Sequence, residues 1–377
     1  MVTIRDVAER AGVSTTTVSH ALNGTRFVNP EKAARIFSAA RELGYTPNPA
    51  ARVLRTGATR IIGALGPSSL DPFFAEAIDG IEDVCSSRGY DLLLGYAQYA
   101  VGTIWGKTDV ERSAEVEFLR AVMDGKSDAL HPSGAQLASA PSREMSKVSR
   151  FLARGAKGLI LNLYQPDDVV LKVLQGASAK IALFHRRIEG LEADRFGSDD
   201  YGGTMQAMEA LLALGHRRIG MIYAYSQPGH GVRARFLAYR DALQKRGIEV
   251  DLTLLLNGGH SPAVAATATE TLLALADPPT AILYWGDGMA LPGMDAARRA
   301  GRSIPQDLSI VGFDDLPFAS LISPRLSTIR QEVVGLGAVA AARLIDRIEG
   351  KIQGPAETVS LPMRFVARES TGPAPGR

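Results

Sequence analysis

The sequence predicts a small all-α helix-turn-helix head with a hinge helix, followed by an α/β body of two lobes. Three observations predict it. Two short helical segments separated by a glycine turn open the chain, positive charge is concentrated in the first sixty residues, and short apolar runs alternate with helical segments from Thr59 onward. A length of 377 residues also calls for two to three domains rather than one.

Residues 1–60 carry nine basic side chains (Arg5, Arg10, Arg26, Lys32, Arg35, Arg41, Arg52, Arg55, Arg60) and four acidic ones (Asp6, Glu9, Glu31, Glu42). That segment is therefore +5, and the remaining 33 basic and 36 acidic residues give −3. A basic end on a slightly acidic body fits a polyanion-binding head on a separate domain. The single cysteine, Cys85, excludes an internal disulfide and a cysteine metal cluster and fits a reducing compartment. MVTIRDVAER lacks the apolar core of a signal peptide, and no run approaches the roughly 18 apolar residues of a membrane span. The expectation is a soluble, cytoplasmic protein.

Local punctuation sets the head. Thr3 and Asp6 form a capping-box pattern, Val7, Ala8 and Ala11 an apolar stripe, and Gly12 a stop. Ser14 caps a second helix, Thr15 to Leu22, which Asn23-Gly24 ends; Asn29, Pro30 and Gly44 bound a third. In the second helix Val18, Leu22 and Ala21 face the core, which leaves Thr15, Thr16, Thr17, Ser19 and His20 as a polar surface. Hydrogen-bonding groups at the N-terminal end of a helix in the major groove reach base edges. Any one threonine reads first as a solvated helix position; the whole set, with the turn and the charge, reads as DNA recognition.

A fourth element follows in YTPNPAARVLRTG, where Asn48, Pro49 and Gly57 bound a segment of about eight residues, below the roughly 12–15 an isolated helix needs. Leu54 stands between Arg52 and Arg55. It is either a packed linker residue or a wedge for a minor-groove base step with the arginines on phosphates; beside a helix-turn-helix the wedge is the better reading.

In the body, RIIGALGP, DLLLGY, KGLILNLY, KIALFHR, HRRIGMIYAY, TAILYW and LSIVGFD read as buried strands. FFAEAIDGIEDVCSSRGY, TMQAMEALLALG and RFLAYRDALQKRG read as helices between them. Such alternation implies parallel sheets with crossover helices, and about 300 residues exceed one core, so two lobes are expected. Ligands of such sheets bind outside the carboxyl ends of the strands, here in the cleft between lobes.

TIRDVAERAGVSTTTVSHALNG and ELGYTPNPAARVLRTG resemble the DNA-binding head and hinge of the lactose/galactose repressor family, and STTTVSHALNGTRFV is similar to its purine-repressor type of head. In the body DPFFAEAIDGIEDV, LLALGHRRIGMI, PPTAILYWGDGMA, IPQDLSIVGFDDLPFASLISPRLSTIRQ and VARES match phrases of the same family. The resemblance covers the chain except about residues 97–148, an Ala/Ser/Gly-rich insertion whose default reading is a surface loop. It implies the fold of periplasmic sugar-binding proteins, two lobes joined by three crossing strands. The implied division is a head at 1–46, a hinge at 47–58, a first lobe at 59–194 and 332–357, a second lobe at 195–331 and 358–370, and a tail at 371–377.

The resemblance implies base readers at Thr15, Thr16, His20 and Arg26, with Ser19 beside them, and an intercalating leucine at Leu54. Asn48-Pro49 stands where the hinge often lacks a proline. Effector contacts map onto Phe73 and Phe74 (in Asp71-Pro72-Phe73-Phe74), Arg235 and Asp314; Asp314 reads equally as a turn cap, and Arg235 has a surface-helix alternative. An arginine and a carboxylate at strand ends suit a polyhydroxylated ligand. Three departures belong to the same cleft: His185 where an acid is usual, Gly286 before Asp287 where Asn is common, and His260 where an aromatic often stands. The additional arginine of the purine type aligns with Gly229, so a sugar or sugar derivative is expected rather than a purine.

Enzyme signatures are fragmentary. Gly102 to Thr108 is one residue short of a phosphate loop, Gly286-Asp287-Gly288 lacks a correctly placed third glycine, and no GxSxG elbow or metal-ligand histidine spacing occurs. The expectation is no catalytic residue, no metal and no cofactor. A homodimeric, ligand-responsive bacterial transcription regulator, a repressor acting on a palindromic operator, is the main reading. A sugar-binding receptor without a DNA role is the alternative. ARESTGPAPGR lacks an apolar heptad, which favours a dimer over a coiled-coil-linked tetramer. The sign of the effector's action stays open.

Overall fold

The computed structural model describes residues 2–23, 26–45, 59–67, 72–97, 117, 119–121, 123–124, 141–163, 166, 168–224, 230–259 and 261–376. They form two compact units, residues 1–59 and 60–377. The first holds α1 (Ile4–Ala11), α2 (Thr15–Asn23) and α3 (Pro30–Glu42). The Asp6 carboxylate accepts hydrogen bonds from the Thr3 N–H (2.7 Å) and hydroxyl (2.9 Å), which starts α1. Gly12, at φ +66°, ends it, and the Val13 N–H returns to the Ala8 carbonyl at 3.0 Å. Ser14 Oγ accepts the Thr17 N–H at 3.2 Å, and the Asn29 side chain accepts the Glu31 N–H at 2.9 Å. Val7, Ala8, Ala11, Val18, Ile36, Ala39 and Ala40 make the buried centre.

The first lobe of the body contains β1 (Ile61–Gly66), α4 (Pro72–Ser87), β2 (Asp91–Tyr96), α5 (Pro141–Ala153), β3 (Gly158–Leu161), α6 (Asp168–Gly176), β4 (Lys180–Phe184) and β5 (Asp194–Ser198). The second contains α7 (Asp200–Ala213), β6 (Ile219–Tyr223), α8 (His230–Gln244), β7 (Leu255–Asn257), α9 (Pro262–Leu273), β8 (Ala281–Tyr284), α10 (Asp287–Arg299) and β9 (Ser309–Val311). The chain then runs through β10 (Thr328–Arg330), returns for α11 (Val333–Ile348) and β11 (Thr358–Leu361), and crosses again into β12 (Arg364–Val366). The sheets are parallel, in the orders β11-β5-β4-β3-β1-β2 and β7-β6-β8-β9, while β10 and β12 pair antiparallel.

Three crossings link the lobes: residue 199 between β5 and α7, residues 331–332 between β10 and α11, and residues 362–363 between β11 and β12. Residues 195–198 and 358–361, expected in the second lobe, lie instead in the first-lobe sheet, where β11 pairs with β5 in register. In the first lobe α4 and α11 approach with backbone in contact: a Cβ at Gly80 would collide with the Val334 carbonyl, and one at Gly337 with that of Ala77. Much of the insertion lies outside the described residues, but Leu119 and Met123 are buried in the second-lobe core rather than exposed on a loop. Among the described residues no helix is long and apolar enough to cross a membrane.

Candidate DNA-reading face and effector cleft

On α2, Thr15 and Thr16 are exposed, and Thr17 and His20 are partly so. Arg26, beyond the end of the helix, is also exposed. Thr15, Thr16 and Arg26 are thus exposed and His20 partly exposed on the head. Ser19 does not: it is 8% exposed, because it follows the core residue Val18 and falls on the inner side of the helix. Arg52, Leu54 and Arg55 lie outside the described residues.

The cleft is built at the carboxyl ends of the strands. On the second-lobe side, Arg235 of α8 donates through Nε to an Asp200 carboxylate oxygen at 2.6 Å and through a terminal nitrogen to the Trp285 carbonyl at 2.8 Å. Its guanidinium lies 4.5 Å from the Trp285 ring centre and 3.3 Å from that of Phe313. Asp200 opens α7 directly after the first crossing. Neither Asp200 nor the Trp285 carbonyl is visible as a partner in the sequence, since both come from elements remote from RFLAY.

On the first-lobe side, His185 follows β4 in the left-handed region, φ +54°, and its N–H donates to the Phe196 carbonyl at 2.7 Å. Phe73 meets its ring edge-on at 4.7 Å, and its Nε2 lies 3.5 Å from Ser198 Oγ. Desolvation pushes the imidazole down to about 4; Asp200 opposes this and Arg186 and Arg235 add to it, so the two lobes act on one ring. At physiological pH His185 is a neutral donor–acceptor where an acid was the family expectation. Asn162, after β3, accepts from Arg186 Nε at 3.2 Å.

Phe74 is not a cleft residue. Adjacent helical positions point about 100° apart, so with Phe73 against His185, Phe74 turns into the lobe core, fully buried in the space left by Gly66. Asp287 is likewise withdrawn. It is fully buried, accepting from Thr328 Oγ1 (2.6 Å) and the Leu316 N–H (2.7 Å), and ties α10 to the loop after β9. Burial lifts its carboxyl to about 7 against those hydrogen bonds. Gly286 caps α10 and leaves room for Asp314: a Cβ there would stand 3.2 Å from the Asp314 carboxylate. Asp314, at φ +103°, accepts from Gln331 Nε2 at 2.6 Å, so its carboxylate serves the loop beside the crossing at residues 331–332. Asp315 beside it is held by Arg330 and Arg368. His260, Asp71 and Gly229 lie outside the described residues, as does the segment Gly102 to Thr108.

Residues 3–48 match the family model for bacterial regulatory proteins of the lacI family, and residues 208–371 match that of a periplasmic binding protein-like domain. The HTH-type transcriptional repressor PurR of Escherichia coli O139:H28 is 30% identical over 377 residues, covering 100% of this chain and 99% of PurR. The chain belongs to the lacI family. Its architecture of a helix-turn-helix head and a two-lobed α/β body is shared with a lac repressor dimer bound to operator and the anti-inducer ONPF (TM-score 0.72, 24% identity, 98% and 99% of the two chains). It is also similar to the transcriptional regulator CelR in complex with cellobiose (TM-score 0.63, 26% identity, 98% and 100%). As a lacI-family member the protein is a ligand-responsive, DNA-binding transcription regulator, and the relatives compared are regulators rather than enzymes.

Proposed function

We propose that this regulator is a cytoplasmic repressor of carbohydrate-metabolism genes that binds a near-palindromic operator as a homodimer and takes a sugar or sugar derivative between its lobes. Thr15, Thr16, His20 and Arg26 read bases in the major groove. Leu54 wedges the central minor-groove step between hinge helices, and Arg52 and Arg55 hold phosphates. The observation that carries the ligand class is the cleft arginine: Arg235, fixed by Asp200 and stacked on Trp285, faces a neutral His185 across the strand ends. An oriented guanidinium, an uncharged imidazole and aromatic faces suit hydroxyl groups on a ring. The cellobiose bound by CelR supports the same class.

Phe73, His185, Arg235, Gly286 and Asp314 are the described residues we assign to the effector site, with His260 on sequence grounds. Asp200 and Trp285 join them; Phe74 and Asp287 do not. We assign no catalytic residue, metal or cofactor. Effector binding shifts the lobes and changes how readily the hinge helices form side by side, so operator and effector affinities are reciprocally coupled, in either direction. Footprinting on the promoter beside the gene tests the DNA half: a symmetric protected site is expected, with affinity falling steeply as salt rises. A calorimetric screen of mono- and disaccharides and of nucleobases tests the effector half. Tight binding of a nucleobase and of no carbohydrate overturns the sugar assignment.

A further inference from the structure

Phe27 is the most exposed large apolar side chain among the described residues, at 90%, and it lies on the unit with the smallest apolar centre. Its surroundings hold it out. Residues 26–29 lead into α3 without helix or strand. Val28 packs against the buried centre of the head. Asn29 is fixed as the cap of α3, its side chain accepting the Glu31 N–H and its carbonyl the Ala33 N–H, both at 2.9 Å. With Val28 turned in and Asn29 committed, the ring before them is left on the outside. The head's two other exposed apolar side chains among the described residues, Val2 and Phe37, are more than half covered.

Exposed apolar side chains occur singly on most proteins and mean little alone. Here the neighbour and the partner give the ring a use. Arg26, directly before it, is also exposed, so a guanidinium and an aromatic ring leave one short stretch of backbone together. The partner of the head is duplex DNA. Its major groove displays one apolar group, the C5-methyl of thymine, beside the O6 and N7 acceptors of guanine. Phenylalanine contacts the first and arginine the second. Because Val28 and Asn29 already fix the backbone, little order is lost when the ring meets a base.

We propose that Phe27 is a further specificity-determining residue, its ring packing on the C5-methyl of a thymine in each half-site, next to the base read by Arg26. The inference rests on the reading of the head as a DNA-recognition unit with Arg26 at the bases. It adds to the polar readers an apolar one, which selects thymine over cytosine without a hydrogen bond.

The test uses the operator defined by footprinting, rebuilt with deoxyuridine for thymine at one symmetric pair of positions at a time. That change removes the methyl group and keeps every hydrogen-bonding group of the base. The full-length parent, Phe27→Ala and Phe27→Gln are titrated at fixed salt. At one thymine position the parent is expected to lose about 4-fold in affinity per methyl group, or about 15-fold for the symmetric pair. Both variants should bind the unmodified operator at least that much more weakly and be indifferent to the same substitution. Amide exchange in α1, α2 and α3 should be equal in all three proteins. The proposal is overturned when every thymine substitution is additive with loss of the ring. It is overturned equally when both variants lose protection in the head, since the ring would then be packing within it. Absence of any protected site is failure of the DNA reading, whereas a protected site with no methyl dependence on Phe27 is failure of this inference alone.

Discussion

Arg235 and Asp200 share a 2.6 Å ion pair in which both side chains are nearly removed from water, at 11% and 7% exposure. Asp200 stands two residues after Ser198, whose hydroxyl lies 3.5 Å from His185. The first crossing therefore carries one partner of the second-lobe site and one of the first-lobe site within three residues. Under the proposed effector assignment, a ligand that draws on Arg235 and His185 pulls on both ends of one short segment that is part of the interlobe crossing. With Arg235 and His185 as the proposed effector contacts, the backbone at residues 198–200 is the shortest physical link between binding and lobe movement.

Arg235→Ala leaves Asp200 buried without its cation, and breaking a buried pair by removing one partner costs about 3–5 kcal/mol. The expected outcome is a second lobe that melts at lower temperature and an effector response that disappears, with operator binding in the absence of effector retained. Arg235→Lys keeps the charge but loses the planar fork that spans Asp200 and the Trp285 carbonyl, so its effector affinity falls between the two. Calorimetric titration with whichever sugar binds the parent checks both; an unchanged titration of the alanine variant removes Arg235 from the site.

Two buried groups give opposite pH dependences. Asp287, raised from 3.8 to about 7, binds its proton more tightly folded than unfolded, so it makes the protein less stable as pH rises from about 4 to 7. His185, lowered from 6.5 to about 4, binds its proton less tightly when folded, so it makes the protein more stable as pH rises through the same window. His185→Gln removes the second contribution and leaves the first. On moving from pH 7 to pH 5 the variant should gain on the order of 1–2 kcal/mol relative to the parent, allowing for the partial exposure of the ring. Urea midpoints for both proteins at the two pH values measure it; parallel pH profiles would contradict a neutral His185.

What was legible in the sequence was what short-range chemistry decides. Thr3 with Asp6, Gly12, Ser14 and Asn29-Pro30 mark their helix ends by bonds within three residues, and they stand where the pattern puts them. The long apolar runs became β1–β4, β6, β8 and β9 because a buried strand needs little else. Illegible were β5 (DRFGS) and the three- or four-residue β7, β10, β11 and β12, too short or too polar for any periodicity. Asp200, the partner of Arg235, was not singled out in the sequence, and Asp287, expected in the cleft, is buried, for one reason: what a carboxylate at an element start does depends on partners, Arg235 for one and Thr328 with Leu316 for the other, that only tertiary structure supplies. The insertion's docking was hidden in the same way, since Leu119 and Met123 bury themselves in another lobe.

Arg26→Ala should weaken binding to the cognate operator more than binding to random duplex, because a base-reading arginine contributes roughly 1–3 kcal/mol of discrimination, or about 5- to 150-fold. Thr16→Ala should do the same at the neighbouring base step with a smaller effect. Ser19→Ala, by contrast, alters a residue that is 8% exposed and should act on head stability rather than on base preference. Affinities for operator variants changed one base pair at a time, at fixed salt, separate the three. Equal losses on cognate and random duplex for Arg26→Ala would make it a phosphate contact.

The turn between α1 and α2 rests on Gly12 at φ +66° with open space around its missing Cβ. Packing therefore does not forbid a side chain there, but the backbone does: an L-residue in the left-handed region costs roughly 1–2 kcal/mol. Among the described residues the head's apolar centre is small, seven buried side chains of which four are alanines, so a loss of that size is a large part of its stability. Gly12→Ala is expected to speed amide hydrogen exchange in residues 4–11 by about 5- to 30-fold and to weaken operator binding, while exchange in the body is unchanged. Gly12→Asn should lie between, since asparagine tolerates that conformation better than alanine. Exchange rates for α1 that do not move in the alanine variant would mean that the α1–α2 turn is not what holds the reading helix in place.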